Sequence, residues 1–280
     1  MSILLSLLGS NVPTGGDSGW PDISTATFVR SDTVNIGLNP LGIFFKPDGT
    51  KVYTLNSADQ LVETNLSTAW DISTHGTAVN TFTTDQTYNI SPGGFWFSTD
   101  GINLFITDRL YDRIVQYELT TAWDISTASY LRLQSVQTQQ GSLRDVCFDD
   151  SGLNMYIIGQ NAHEIDRFTL TTAWDISTMS HHSNSASINN APLAAKANGV
   201  FIKPDDGTKI YAVDDNSNQI VQWNLSTPYD ISSDVDSTGD DTFSITSQET
   251  SPWSMYISPD GSHLYVAGTS GDDINQYSLG

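Results

Sequence analysis

An all-β fold, a five-bladed β-propeller, is predicted for this 280-residue chain by three observations. A nine-residue phrase recurs as Leu66 to Thr74, Leu119 to Thr127, Leu170 to Thr178 and, drifted, Leu225 to Ser233, with a fragment at Trp20 to Thr25. A second phrase, ending in the turn glycines Gly49, Gly101, Gly152, Gly207 and Gly261, recurs at glycine-to-glycine intervals of 51 to 55 residues, one copy upstream of each full Trp phrase. Between them, apolar residues come in bursts of three to five bounded by Gly, Pro, Asn, Asp and Ser, which is the pattern of strands and turns and not of helices. Four strands per period of this length mark a propeller blade, and five periods mean five blades.

Each element follows in order within one period. The first strand, Gly42 to Phe45, Gly94 to Phe97, Asp145 to Phe148, Gly199 to Ile202 and Ser254 to Ile257, is apolar on both faces and is expected innermost. A Pro-Asp-Gly type turn leads to the second strand, because Asp suits the turn and Gly supplies positive φ. The third strand, Gln60 to Leu66, Arg113 to Leu119, Glu164 to Leu170, Gln219 to Leu225 and Asp273 to Leu279, alternates as a half-buried strand should. A more polar fourth strand follows the Trp phrase, as in Ala78 to Thr83, Ser129 to Gln134 and Thr242 to Ser247. The chain stops at Gly280 where that phrase is due and carries it at Trp20 instead. Residues Ser24 to Arg30 are therefore expected to supply the outer strand of the last blade, a 3+1 closure that removes an open seam.

The domain reading is an apolar arm and Gly/Ser-rich linker over 1–19, then one propeller over 20–280. Ile3, Leu4, Leu5, Leu7 and Leu8 carry no charge, the segment is too short to span a bilayer, and it lacks the basic start and cleavage site of a signal peptide. It is expected to dock on another protein, since burying about four such side chains contributes on the order of 6 to 10 kcal/mol before ordering costs. An arm folded back on its own propeller is the competing reading.

Thirty-two acidic residues against 11 Lys and Arg give a net charge of −21, and no base precedes Arg30. Nucleic acid is excluded as a partner, because phosphate contacts need clustered cations. The single cysteine, Cys147, stands where other repeats carry Phe44, Trp96, Phe201 and Tyr256, and reads as a core residue. It cannot form an intrachain disulfide.

The residues opening the inner strands, Gly42, Gly94, Asp145, Gly199 and Ser254, are the candidates to line the central channel, where some five-bladed propellers that are glycosidases need two carboxylates. One acid in five makes no such pair, and Arg144 beside Asp145 reads as a local salt bridge. The loops joining second to third strands cluster Asp59, Asp108, Asp112, Asp214, Asp215, Asp272 and Asp273, with Asn161 and His163 in the third blade. These are candidate cation ligands, but their spacing matches no calcium loop and turns use such residues anyway. His181 and His182 fall in an outer strand, and His263 replaces unrelated polar residues of other repeats. No catalytic residue, resident metal or cofactor is assigned. Trp20, Trp70, Trp123, Trp174 and Tyr229 are expected to ring the opposite mouth. Either each ring packs under its connection while the following Asp caps a turn, or ring and Asp together make a pyranose platform.

The pairing of Pro-Asp-Gly-Thr-Lys with Leu-Ser/Thr-Thr-Ala-Trp-Asp-Ile-Ser-Thr resembles the repeats of propeller structural proteins in bacteriophages and marine viruses. The Pro-Asp-Gly half is more distantly similar to lactonase-like and YVTN-type propellers, whose metal ligands have no counterparts here. The viral resemblance implies a non-enzymatic virion component of capsid, tail or fibre, present in several copies. Its arm would dock on other virion proteins and its acidic propeller would face outward, with a host-surface glycan as a second partner. The alternatives are a lectin-like carbohydrate binder without a virion role, and a hydrolase.

Overall fold

The computed structural model describes residues 20–35, 37, 39–84, 90–161, 164–182, 186–188, 196–236 and 238–280. The arm residues Ile3, Leu4, Leu5, Leu7 and Leu8, and His163, lie outside them. In chain order, β1 is Thr27–Asp32, and blade 1 comprises β2 (Pro40–Phe45), β3 (Lys51–Asn56), β4 (Gln60–Leu66) and β5 (His75–Thr83). Blade 2 holds β6 (Pro92–Phe97), β7 (Asn103–Asp108), β8 (Arg113–Leu119) and β9 (Ala128–Ser135). Blade 3 holds β10 (Leu143–Phe148), β11 (Asn154–Gly159), β12 (Glu164–Leu170), β13 (Met179–His181) and β14 (Ala186–Ser187). Blade 4 holds β15 (Ala197–Ile202), β16 (Lys209–Asp214), β17 (Gln219–Asn224) and β18 (Asp241–Ser244). Blade 5 holds β19 (Pro252–Ile257), β20 (His263–Gly268) and β21 (Asp273–Ser278). β1 completes blade 5 as its outer strand, in the order β1-β21-β20-β19.

The fold is thus a five-bladed β-propeller closed by its N-terminal strand. Thr27 pairs with Ser278 and Asp32 with Ile274, so the closure spans a whole strand. The closing strand begins three residues later than the sequence suggests, because Ile23–Thr25 form a 3-10 turn, as the same phrase does at Ile72–Thr74, Ile125–Thr127 and Ile176–Thr178. In blade 3 the outer strand is divided, β13 and β14 each pairing with part of β12. His182 lies just past β13.

Burial follows strand order. Every residue of β2, β6 and β15 is buried, while β5 is exposed or half-exposed throughout. The inner strands contact one another around the ring in the order β2, β6, β10, β15, β19 and back to β2. Each inner strand has a register shift next to its first residue, between Pro40 and Gly42 in blade 1 and between Leu143 and Asp145 in blade 3, for example. A bulge of this kind bends the strand and re-aims the residue it carries, here at the upper mouth of the channel.

Candidate functional site

The Trp phrase is built into the wall. Trp70, Trp123, Trp174 and Tyr229 adopt left-handed backbone with φ of 61 to 66°, and their amides donate to the carbonyls of Gly49, Gly101, Gly152 and Gly207 at 2.9 to 3.1 Å. Each ring lies over that same glycine so closely that a side chain there would run into it, and Trp20 covers Gly261 in the same way. The next residue caps the turn: Asp71, Asp124 and Asp175 accept from the amides of Ser73, Ser126 and Ser177. Asp71, Asp175 and Asp230 are held below the usual carboxylate range, first by hydrogen bonds from the following serines.

The preceding blade then clamps each phrase. Tyr53 of blade 1 donates its hydroxyl to the Trp123 carbonyl of blade 2 at 2.7 Å, Tyr156 does so to Tyr229, and Tyr265 to Trp70. Glu63, Gln116, Gln222 and Gln276, at one position of the third strand, accept from the amides of Ile125, Ile176, Ile23 and Ile72 in the following blade. From the outer strands, Arg30 reaches Asp71 at 2.7 Å, Asn80 reaches Asp124 at 3.0 Å, and Arg132 pairs with Asp175. Ring and carboxylate thus both make contacts that hold the turn and the neighbouring blades together.

The acidic loop residues are likewise locally committed. Asp59, Asp112 and Asp272 take left-handed turn positions. Asp112 accepts from the Leu143 amide of the next blade at 3.0 Å, and Asp272 from the Asn39 amide at 2.7 Å. Asp108 is fully buried under a two-pronged contact from Arg113 at 2.8 and 2.5 Å. Asp214 caps Ser217, Asp215 lies 4.0 Å from Lys196, and Asp273 accepts from Asn275. Among the described residues no three His, Cys, Asp or Glu side chains converge as a metal site.

One sequence reading is corrected. Arg144 and Asp145 form no salt bridge, because the bulge sends their side chains to different places. Asp145 turns into the channel, where it accepts from Val146 N at 2.9 Å, Val200 N at 3.3 Å and Ser254 Oγ at 3.4 Å. Gly94 leaves room for it, and a Cβ there would collide with the carboxylate. Burial pushes its pKa up to about 7, against the smaller opposing effect of those hydrogen bonds. Arg144 instead stacks its guanidinium 4.5 Å from the centre of the Trp253 ring.

The lower half of the channel is closed by aromatic rings from four blades. Phe44 meets Trp96 at 5.0 Å and Tyr256 at 5.1 Å, and Phe201 meets Trp96 and Tyr256 at 5.7 Å each. Cys147 fills the fifth place, buried, with its thiol pushed up by desolvation. This rosette floors a cavity of 280 Å³ at the lower mouth. Pro47, Pro204 and Pro259 form its rim, and Asp149, Asp150 and Asp205 one side. Burial, then Asp205 and Asp149, raise the Asp150 carboxyl above its ordinary value. Tyr256 is 5 % exposed, lines the cavity, and makes no hydrogen bond through its hydroxyl among the described residues. An aromatic floor beside oxygen acceptors can stack a pyranose ring and bind its hydroxyls. The signal for these residues was in the sequence, as the aromatic set at the Cys147 position, but it reads there as core alone.

Comparison with known proteins places the fold. The chain superposes on a candidate 6-phosphogluconolactonase from Bacteroides uniformis with a TM-score of 0.52 at 18% identity, over 87% of this chain and 67% of that one. A protein from Lactobacillus plantarum gives 0.53 at 14% identity, over 85% and 67%. The periplasmic gluconolactonase of Pseudomonas aeruginosa gives 0.49 at 15%, over 85% and 66%. The two likenesses with TM-scores above 0.5 show a shared β-propeller architecture and nothing of substrate. No protein-family model matches the chain, and no curated protein matches it.

Proposed function

We propose that this chain is a non-enzymatic recognition propeller carried on a larger assembly, a virion, with residues 1–19 docking on a neighbouring subunit and the lower cavity taking a host-surface glycan. The observation that carries the reading is the cavity itself: 280 Å³, floored by aromatic rings from four blades, with carboxylates on one flank and the unpartnered Tyr256 hydroxyl. Supporting it, the carboxylate in the channel is spent on main-chain amides and a serine. The arm joins the propeller through Trp20 and Ile23, buried at 5 % and 0 % exposure, so a load on it passes straight into the closing blade. The viral setting rests on the resemblance of the repeat phrase. The apolar arm suits docking because it cannot stay exposed on a lone subunit without inviting association.

One experiment separates the two halves. Particles are assembled with a chain carrying Leu4, Leu5, Leu7 and Leu8 all changed to Ser, or carrying Trp96→Leu with Tyr256→Phe. The first set is expected to release a folded propeller from particles. The second is expected to leave incorporation intact while abolishing retention on host cells and on a glycan array. Incorporation of the serine variant at normal copy number would refute the docking role. Unchanged glycan retention by the cavity variant would refute the recognition role.

A further inference from the structure

The upper mouth, at the far end of the channel from the glycan cavity, brings a residue of blade 5 together with residues of blades 2 and 3, neither of which adjoins it. Arg109 follows β7 in blade 2, Arg144 lies in β10 of blade 3, and Trp253 lies in β19 of blade 5. Both guanidinium carbons sit over the Trp253 ring, at 5.1 and 4.5 Å from its centre. Since blade 5 contacts blades 4 and 1 through its inner strand, this meeting takes place over the channel axis. Gly93 makes it possible, because a Cβ there would fall 3.0 Å from Arg109 Cγ and collide with the Arg144 carbonyl.

Neither arginine has a carboxylate within salt-bridge distance among the described residues. Asp108 is taken by Arg113 and Asp215 faces Lys196. Arg109 donates through Nη2 to Ser91 Oγ at 3.3 Å, and Arg144 through Nη2 to Gln160. Gln160 in turn holds Asn198 at 2.8 Å, and Asn198 donates to the Pro252 carbonyl at 2.8 Å, so the Arg144 side is braced through blade 4. The Nε atoms of both arginines are buried without a partner. Burial, then the charge of Arg109, pushes the Arg144 pKa down to about 10, while Asp215 opposes it. In a chain with only 11 Lys and Arg against 32 acids, two cations crowd one half-dry spot with donors to spare.

We propose that the upper mouth is a binding site for one small oxyanion, a carboxylate or a phosphoryl group, gripped between Arg109 and Arg144 beside the Trp253 ring. Guanidinium forks match the two-oxygen edge of either group, and charge-assisted hydrogen bonds are the strong ones. The surrounding negative field repels polyanions, so the site selects a single charged group on a small body. This proposal stands apart from the glycan cavity and from the viral reading.

The test is calorimetric titration of the full chain with inorganic phosphate and, separately, with glucuronate, at an ionic strength held constant with sodium chloride. Saturable one-to-one binding of at least one probe is expected, and the stronger of the two names the source. Arg109→Gln and Arg144→Gln are each expected to weaken it at least about tenfold, the loss of one charge-assisted contact. Arg144→Lys should fall between, keeping the charge and losing the fork, while Arg30→Gln should change nothing. The same probe should raise the melting temperature of the wild-type chain and leave that of the doubly substituted chain unmoved. Absence of saturable binding of both probes to the wild-type chain would overturn the proposal even if the variants failed to fold. Equal binding by a folded double variant would overturn it as well.

Discussion

Replacing Asp145 by Asn should abolish the pH dependence that this residue gives to stability. Folded, the carboxyl keeps its proton up to about pH 7, while unfolded it loses it near 3.8. Between those values the folded state holds a proton that unfolding releases, so the contribution is complete below pH 3.8 and disappears as pH rises through 7. About three pH units at roughly 1.4 kcal/mol each set an upper bound on the order of 4 kcal/mol. The amide keeps an acceptor for the Val146 amide and can donate to Ser254 Oγ. It loses the second oxygen facing Val200, a long contact worth about 1 kcal/mol. Asp145→Asn should therefore be less stable than wild type by about 1 kcal/mol at pH 4 and more stable by roughly 2 to 3 kcal/mol at pH 8. Urea unfolding of both chains across this range, taken as a difference, removes the background of the other carboxylates. Parallel curves would show that the carboxylate is ionised and solvated in the folded ring, and that the burial argument fails.

Two further outcomes follow from the packing. Deleting residues 1–32 removes the buried Trp20 and Ile23 together with the whole β1 ladder, at roughly 1.5 to 3 kcal/mol per large side chain, and should yield an aggregating ring with an open edge. A truncated monomer that melts with the full chain would refute closure by that strand. Gly101→Ala, at φ +74° and under the Trp123 ring, should cost about 2 kcal/mol or more in thermal or denaturant unfolding, whereas Gly76→Ala, with nothing nearer than 3.8 Å, should stay within about 0.5 kcal/mol; equal effects at the two sites would contradict this reading of the Trp phrase.

The architecture was legible because each blade repeats its punctuation. The glycines from Gly49 to Gly261 and the phrase around each Trp locate every hairpin, and Trp20 locates the closure. Strand ends were less legible. Residues Ser24 and Thr25 read as strand, yet the same letters form a turn in the other copies, and the division of the outer strand in blade 3 has no counterpart in the repeat. Of the sites, the aromatic floor was half visible, since alternation puts Phe44, Trp96, Phe201 and Tyr256 on one face without saying that a cavity opens beneath them. The Arg109, Arg144 and Trp253 cluster was not visible at all. It needs bulges that leave no mark in composition, and contacts across the axis between blades that are distant both in sequence and in the ring. Asp145 misled for the same reason, as sequence adjacency to Arg144 says nothing once a bulge parts the two side chains.

Closure by β1 brings Gly280 back to the start of the propeller, with its amide 3.3 Å from Thr25 Oγ1 and its Cα side against Pro21. The two ends of the ring thus leave from a single point on its rim. A tag or reporter fused after Gly280 would emerge beside Pro21. A short peptide joining 280 to 20 would instead make the ring covalently endless, and new ends could then be opened in any outer loop. The PDG turns would be poor choices, because each lies under its own aromatic lid. The tips between second and third strands on the other face, such as Leu110 and Tyr111, exposed at 54 % and 47 %, offer places to cut or insert without lifting one.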